Sequence, residues 1–443
     1  MSAPVAPGRW PLLGHTPAML RRRFAFTSAL REHGDIVTIF LGPMRVHVVT
    51  SPSLTHEVLV AKGGSFSKGA MFDKFAPYLG NGLLLSNGKF HLRQRRLIQP
   101  AFHRDRIARY ATTMVSAATE LTDSWRAGEV RAVEEDMQAL AVTIVGEALF
   151  STDIGKRAIA EARRSIFLVI KQGMARALSP GIVERLPLRA NREFDEAIAR
   201  MRAIGMEVIA DSREGGADHG DVLSMLLLAQ HEDTGAGMTD RQVYDEVLTL
   251  LTAGIETTAL ALAWVFHEVA AHPDVERKLH AELDEVLEGP VTFADIPRLT
   301  YTARVVDEVL RMYPVWILMR RALTDVELGG VRIPEGAEVI VSPHALHFDP
   351  DSYEDPHRFD PDRWSPARAK DIPKGAFIPF GAGTRQCVGN VFARTEIIIT
   401  LATVAAKWWL VPVPGKPVKM KFTSAAYPDG LLMTVTPRTP REQ

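Results

Sequence analysis

Cysteine is almost missing from this chain: Cys387 is the only one among 443 residues. A single thiol cannot close an intramolecular disulfide or hold an iron–sulfur cluster, which excludes a secreted disulfide scaffold and a clustered electron carrier. An excess of one charge is missing too. Lys+Arg number 52 and Asp+Glu 53, a formal net charge of −1, so no chain-wide basic field invites nucleic acid. No run approaches the roughly 20 apolar residues that span a bilayer; the best candidate, Ile397 to Ala406, is too short. Residues Met1 to His15 form a proline-rich arm without an apolar core, which is not a signal-peptide pattern. No repeat or low-complexity tract is present. What remains, 46% hydrophobic and 24% charged, is an ordinary globular balance, and the expectation is a cytoplasmic protein.

Periodicity outlines a mostly helical chain with a smaller β-rich portion. Asp35 to Thr50 alternates apolar and polar residues around Gly42-Pro43, predicting a β-hairpin. Ser51-Pro52 opens a helix, with serine as cap. Met71 to Leu85 is apolar and aromatic but broken by Pro77, Gly80 and Gly82. From Ile107 to Asp233 apolar residues recur at three and four, the mark of successive amphipathic helices. Thr239-Asp240-Arg241-Gln242 is a capping box for a helix that runs to about Ala271 and stops at His272-Pro273. Val326 to Val341 predicts two short strands around Gly329-Gly330. On the long helix, His267-Glu268-Val269-Ala270-Ala271-His272 imitates a zinc-binding His-Glu-x-x-His with one residue too many. Histidines five apart lie about 140° apart around a helix and cannot share a metal, so a zinc site is rejected.

The lone cysteine sits in Phe380-Gly381-Ala382-Gly383-Thr384-Arg385-Gln386-Cys387-Val388-Gly389. An isolated cysteine is ordinarily a small inert hydrophobe, but these neighbours say otherwise. Three glycines clear side chains from around the sulfur, so that something flat and bulky can approach. Arg385 can pair with an anionic group on the same ligand. An apolar helical stretch begins at Asn390, and a helix N-terminus favours thiolate over thiol. A thiolate in such a loop suits axial ligation of haem iron. The run resembles the haem-ligand loop of the cytochrome P-450 family, Phe-Gly-x-Gly-x-Arg-x-Cys-x-Gly. All six fixed positions match, and Ala393 follows at the family's spacing. There is no Cys-x-x-Cys-His, so the haem b expected on Cys387 is held without covalent attachment.

The resemblance extends along the chain and implies a single cytochrome P-450 domain over residues 1–443. His91 and Arg95, four apart on one helical face, match the family's His-x-x-x-Arg and are expected on a haem propionate. Arg320, rather than Arg321, matches a further propionate arginine, and Phe380 and Gly381 belong to the haem loop. Ala253-Gly254-Ile255-Glu256-Thr257-Thr258 weakens the middle of a strong helix, since glycine costs about 1 kcal/mol there relative to alanine. Thr257 can bond back to the Ala253 carbonyl. By resemblance Thr257 holds oxygen and a delivery water, while Glu256 relays protons. Glu308 and Arg311, with Arg358 from Pro356-His357-Arg358-Phe359, are the expected buried charge cluster. Met71, Phe72, Phe75, Leu79, Ala253, Val315, Trp316, Ile317 and Leu318 are pocket candidates, with Phe167 to Leu178 as a lid and Thr423 to Ala426 as a last wall.

The expected activity is a haem-thiolate monooxygenase that inserts one oxygen atom from dioxygen into an apolar small molecule. The pocket candidates offer few hydrogen-bond donors and no charge, which favours an apolar molecule such as a cyclic terpene, steroid, macrolide core or fatty acid. Pro314-Val315-Trp316 is similar to bacterial sesquiterpene oxidases, which puts a cyclic terpene of secondary metabolism first among them. Without flavin or cluster motifs, electrons from NAD(P)H must come through separate proteins, a ferredoxin and its reductase. Seven Lys/Arg against the single Asp105 between Lys89 and Arg109 would form a basic docking patch for an acidic carrier. A peroxide-driven peroxygenase of the same fold and a haem-thiolate gas or redox sensor are the rivals. The retained Glu256-Thr257 pair argues against the first, and the absence of an output domain against the second.

Overall fold

A computed structural model describes residues 3–150, 153–179, 181–215, 219–230, 235–315, 317–422 and 425–438. The chain folds as two compact units: one takes the chain up to Lys74 together with Asp307–Cys387, the other takes Phe75–Val306 and everything after Cys387.

The first unit is built on a five-stranded sheet in the order Ile36–Leu41, Met44–Val49, Glu338–Val341, Leu318–Ala322, Phe66–Lys68. The expected hairpin is its first pair, antiparallel with Ile36 opposite Val49 and Leu41 opposite Met44. Strand alternation sends side chains to two apolar clusters. Val339 and Val341 join one with Val49 and Leu346, while Ile340 joins the other with Val37, Ile39, Met19 and Phe26. The predicted Gly329-Gly330 turn links Val326–Leu328 to Val331–Ile333. The last strand of that stretch, Glu338–Val341, joins the main sheet instead, in parallel with Met44–Val49. The helix at Pro52–His56 starts on its proline, but the Ser51 hydroxyl makes no cap bond. The N-terminal arm is tied down: Val5 bridges Thr38, and the buried His15 ring contacts the Ala6 carbonyl and the Phe40 N–H, both at 3.0 Å.

The second unit is helical. Its main helices span Arg104–Ser124, Val133–Leu149, Asp153–Leu178, Arg189–Gly215, Asp240–Ala271 and Asn390–Lys407, the succession that the periodicity predicts. The long helix starts on its capping box: Thr239 N–H donates to Gln242 Oε1 at 2.8 Å, and Gln242 N–H to Thr239 Oγ1 at 3.3 Å. It ends at Ala271, before Pro273. Among the described residues this helix, not Ile397 to Ala406, is long and apolar enough to cross a membrane. In the sequence its apolar run is interrupted by Glu246 and Glu256. Its most apolar window is 67% buried, so its apolar side chains are satisfied as core. Gly254 has a packing reason, since a Cβ there would stand 3.3 Å from Val145 of a neighbouring helix.

Candidate active site

Cys387 closes a loop that folds back on itself. Gly381 N–H donates to the Ile378 carbonyl (3.0 Å), Gln386 N–H to Gly383 (3.0 Å) and Cys387 N–H to Phe380 (2.9 Å). Gly381 and Gly383 hold φ of +68° and +69°. A Cβ on Gly383 would lie 2.0 Å from the Leu59 carbonyl oxygen, so the loop is seated on backbone that tolerates no side chain there. Cys387 is exposed.

The same unit gathers three cations. Arg320 is 5% exposed, and its Nη1 donates to the Met319 carbonyl at 2.9 Å. Lys68 stands opposite Arg320 in the strand register, with its ammonium 4.3 Å from the Phe72 ring centroid. Burial lowers the Arg320 pKa to about 10. Burial and then the Arg320 charge bring Arg385 to about 10 as well. Lys68 falls well below its ordinary value through burial, then Arg320 and Arg385. Arg320 thus adds to the burial that depresses both of the others, and cations desolvated and crowded in this way create a place for an anion. Arg321, on the other strand face, is already paired with Glu338 (2.7 Å) and Asp73 (2.8 Å). A glycine-cleared thiol together with a desolvated cation cluster fits a flat, dianionic haem. Lys68 escaped sequence reading, and only its register with Arg320 reveals it.

The buried charge cluster differs from expectation in one member. Glu308 and Arg311 are both fully buried and paired in a fork, Nε to Oε2 at 2.9 Å and Nη2 to Oε1 at 2.8 Å. The third arginine is Arg363, not Arg358. Arg363 is 4% exposed, with Nε 3.5 Å from Glu308 Oε1, and Trp364 Nε1 donates to Glu308 Oε2 at 2.9 Å. The Arg358 side chain is exposed, and only its carbonyl takes part, accepting from Arg311 Nη2 at 3.3 Å. The cause is the turn: Pro361 starts a short 3₁₀ helix, Pro361–Trp364, which swings Arg363 inward. His347, also missed from sequence, ties this cluster to the cysteine loop. Its Nδ1 meets the Arg311 carbonyl at 2.9 Å, and its Nε2 accepts from Ile378 N–H at 3.0 Å.

In the helical unit, Thr257 Oγ1 donates to the Ala253 carbonyl and Thr258 Oγ1 to the Gly254 carbonyl, each at 2.8 Å. Ala253 and Thr257, one turn apart, are exposed, and Glu256 is half-buried. Glu396, fully buried on the Asn390–Lys407 helix, has neither oxygen in a full hydrogen bond. Burial pushes its pKa up to about 8, with the Thr258 hydroxyl acting in the opposite direction. His91 is buried, with Nδ1 3.3 Å from Ser86 Oγ, and Arg95 is half-buried one turn along the Gly88–Ile98 helix.

Among the pocket candidates, Met71, Phe72 and Ile317 are partly buried against the second apolar cluster of the sheet unit, and Leu318 against the first. Val315 is half-buried. Trp316 and Thr423 lie outside the described residues. The broken Met71 to Leu85 stretch forms two single helical turns, Ala70–Asp73 and Ala76–Leu79. Phe75 meets Tyr78 edge-on at 5.8 Å, and Leu79 is buried. Gly80 and Gly82 let this segment lie on the long helix: Asn81 N–H donates to Asp245 (2.9 Å) and Leu83 N–H to Glu246 (2.7 Å).

Residues 4–439 match the family model described as Cytochrome P450. The chain is 45% identical to the cyclooctat-9-en-7-ol 5-monooxygenase of Streptomyces melanosporofaciens, over 98% of this chain and 95% of that one. It is 42% identical to cyclooctatin synthase of the same organism, with the same coverage. It is 36% identical to the pentalenene oxygenase of Streptomyces avermitilis, over 99% and 98%. The crystal structure of a cytochrome P450DA heme domain superposes with a TM-score of 0.89 at 26% identity, covering 100% of this chain and 99% of the other.

Proposed function

The chain belongs to the cytochrome P-450 family and is a haem-thiolate monooxygenase, and from that premise we propose that it oxygenates a cyclic terpene. What carries the substrate class is the 45% identity along almost the whole chain to an enzyme named for cyclooctat-9-en-7-ol, supported by the uncharged, apolar pocket candidates. Cys387 would hold the haem iron through its thiolate, and the haem so held would supply the redox chemistry that activates dioxygen. Lys68, Arg320 and Arg385 would hold and orient the haem through its carboxylates, the role that the family resemblance also gives to His91 and Arg95. Phe380 and Gly381 shape the loop beside it. The Thr257 hydroxyl, donating its hydrogen bond to the Ala253 carbonyl, would accept from a water with its lone pairs, and Glu256 would pass protons from solvent to that water. Apolar side chains at Met71, Phe72, Phe75, Val315, Ile317 and Leu318 exclude bulk water and orient the substrate by shape.

Electrons come from NAD(P)H through a ferredoxin and its reductase in this reading. It is supported by the exposed cations Lys89, Arg93, Arg96, Arg104 and Arg109 on one short stretch, where complementary charge speeds encounter. The test is titration of the ferric protein with pentalenene and with cyclooctat-9-en-7-ol, followed by turnover with a ferredoxin–reductase pair. A shift of the Soret band and product formation tied to reductant use are expected. Peroxide-supported product formation without any reductant-supported turnover would refute the monooxygenase cycle. Binding of fatty acids but of neither cyclic terpene would refute the substrate class.

A further inference from the structure

The N-terminal face of the sheet unit carries a feature that oxygen chemistry does not use. Trp10 to Gly14 is a tight turn closed by a Trp10–Gly14 bridge. At its apex Leu12 is 93% exposed, flanked by Trp10 at 55% and Leu13 at 52%. Leu12 also holds φ of +58°, a left-handed conformation that is unfavourable for a bulky side chain. A leucine there is disfavoured twice, by backbone and by hydration, and the outcome is a large apolar side chain pointing into solvent. The Gly42 N–H donates to the Leu13 carbonyl at 3.1 Å, which brings the tip of the first hairpin, with exposed Pro43 and Arg45, beside the turn. The Thr16–Ala29 helix follows directly and adds exposed Leu20, Arg21 and Arg22.

Charge on this face has one sign. Residues 1–31 contain five arginines and neither aspartate nor glutamate, and residues 36–49 contain no acidic residue either. Acidic side chains stand at the far end of the helix, where exposed Glu32 and Asp35 follow it and Asp349 and Asp351 meet Arg31. Protruding leucines and an indole rimmed by arginines are complementary to an anionic bilayer surface: apolar tips enter the acyl boundary, tryptophan sits at the headgroups and guanidinium groups bind phosphate. An acidic protein would satisfy the arginines but leaves the projecting leucines without a function, and so lipid is the better occupant.

We propose that the Trp10–Gly14 turn and the start of the Thr16–Ala29 helix dock this enzyme on anionic membrane surfaces as a peripheral contact. This goes beyond the oxygenase reading and does not depend on its substrate. The test is flotation of the haem-loaded protein with phosphatidylcholine vesicles, with and without phosphatidylglycerol. Binding is expected only with the anionic lipid and should weaken as salt rises. Arg21→Gln with Arg22→Gln should lower the partition coefficient roughly thirty-fold, and Leu12→Ser with Leu13→Ser at least roughly tenfold. Both variants should keep the wild-type Soret spectrum, because neither pair touches the cysteine loop. Absence of flotation for the wild type overturns the proposal, as does flotation that survives both variants. Salt-sensitive binding of an acidic ferredoxin that disappears with Arg21→Gln and Arg22→Gln, without flotation, would make the face a protein-docking site instead.

Discussion

Replacing Arg363 with alanine removes a side chain that is 4% exposed and donates to two backbone carbonyls, Glu354 at 2.6 Å and Asp355 at 3.3 Å. Both bonds are only part-buried and Glu354 and Asp355 are themselves exposed, so water replaces part of each and the two losses fall in the lower half of about 1–3 kcal/mol apiece. Glu308 keeps its fork from Arg311 and the N–H groups of Asp360 and Trp364, at 3.0 and 2.9 Å, so its charge stays compensated. The sum is about 3 kcal/mol. Arg311→Ala is worse. It takes the fork from the fully buried Glu308, leaving it two N–H donors and the distant Arg363 guanidinium at 3.5 Å. It also frees the carbonyls of His347, Pro356 and Arg358, which places it in the roughly 3–5 kcal/mol range for a broken buried pair. Arg311→Lys keeps the charge but not the planar fork and should recover little. Arg358→Ala removes an exposed side chain and should stay within about 0.5 kcal/mol of the parent. Urea unfolding followed by tryptophan fluorescence measures all four, with Trp364 reporting directly on the cluster. The expected order of loss is Arg311, then Arg363, then Arg358. If Arg358→Ala costs as much as Arg363→Ala, the assignment of the third arginine is wrong.

Other substitutions probe the loop, the cation cluster and the buried carboxyl. Gly383→Ala sets a Cβ 2.0 Å from the Leu59 carbonyl oxygen at a left-handed φ and should abolish haem incorporation. Gly88→Ala, at φ +58° with open space around it, should cost only about 1 kcal/mol; equal haem content in the two variants would refute the steric argument. Lys68→Gln removes one of three mutually repelling cations and should speed haem loss to a scavenger roughly tenfold, while an unchanged rate would take Lys68 out of the cofactor site. Glu396 keeps its proton in the folded state up to about pH 8, against an ordinary 4.5. The unfolded chain therefore binds fewer protons across that window, and stability falls as pH rises through it, by at most about 1.4 kcal/mol per unit. Glu396→Gln should flatten that slope and be more stable than the parent at pH 8; parallel melting curves from pH 5 to pH 8 would refute it.

Local signals were the ones the sequence could carry. The hairpin at Gly42-Pro43, the capping box at Thr239 and the Glu308–Arg311 fork each involve residues within a few positions, where spacing alone sets geometry. Misassignment came where two candidates share a local grammar. Arg358 and Arg363 both follow a proline, at Pro356 and Pro361, and only the 3₁₀ turn at Pro361 decides which one enters the core. Lys68 and His347 escaped for a different reason. Their partners, Arg320 for one and Arg311 and Ile378 for the other, are distant in the chain, and neither residue belongs to a motif. The mid-helix glycine carries two meanings at once, since the weak spot beside Thr257 is also where Val145 packs closest.

His347 joins these observations into a pH argument. It can serve both neighbours only as the neutral tautomer, with Nδ1–H donating to the Arg311 carbonyl and Nε2 accepting from Ile378 N–H. Burial holds its pKa at about 3 against an ordinary 6.5; the bond to the Arg311 carbonyl opposes this, and the Arg311 charge and His344 add to it. The unfolded chain therefore binds more protons between those values, and the stability due to neutral His347 is lost as pH falls from 6.5 toward 3. Protonation turns Nε2 into a donor facing another donor, which releases Ile378 and, through the Ile378 carbonyl, the Gly381 N–H at the start of the cysteine loop. Haem retention should therefore fail in acid before the helical unit melts. His347→Gln supplies an amide donor and acceptor without a titrating ring, so it should move that failure to lower pH, whereas His347→Phe should lose haem already at neutral pH. An acid midpoint for haem release that is the same in the parent and His347→Gln would show that the histidine does not govern the loop.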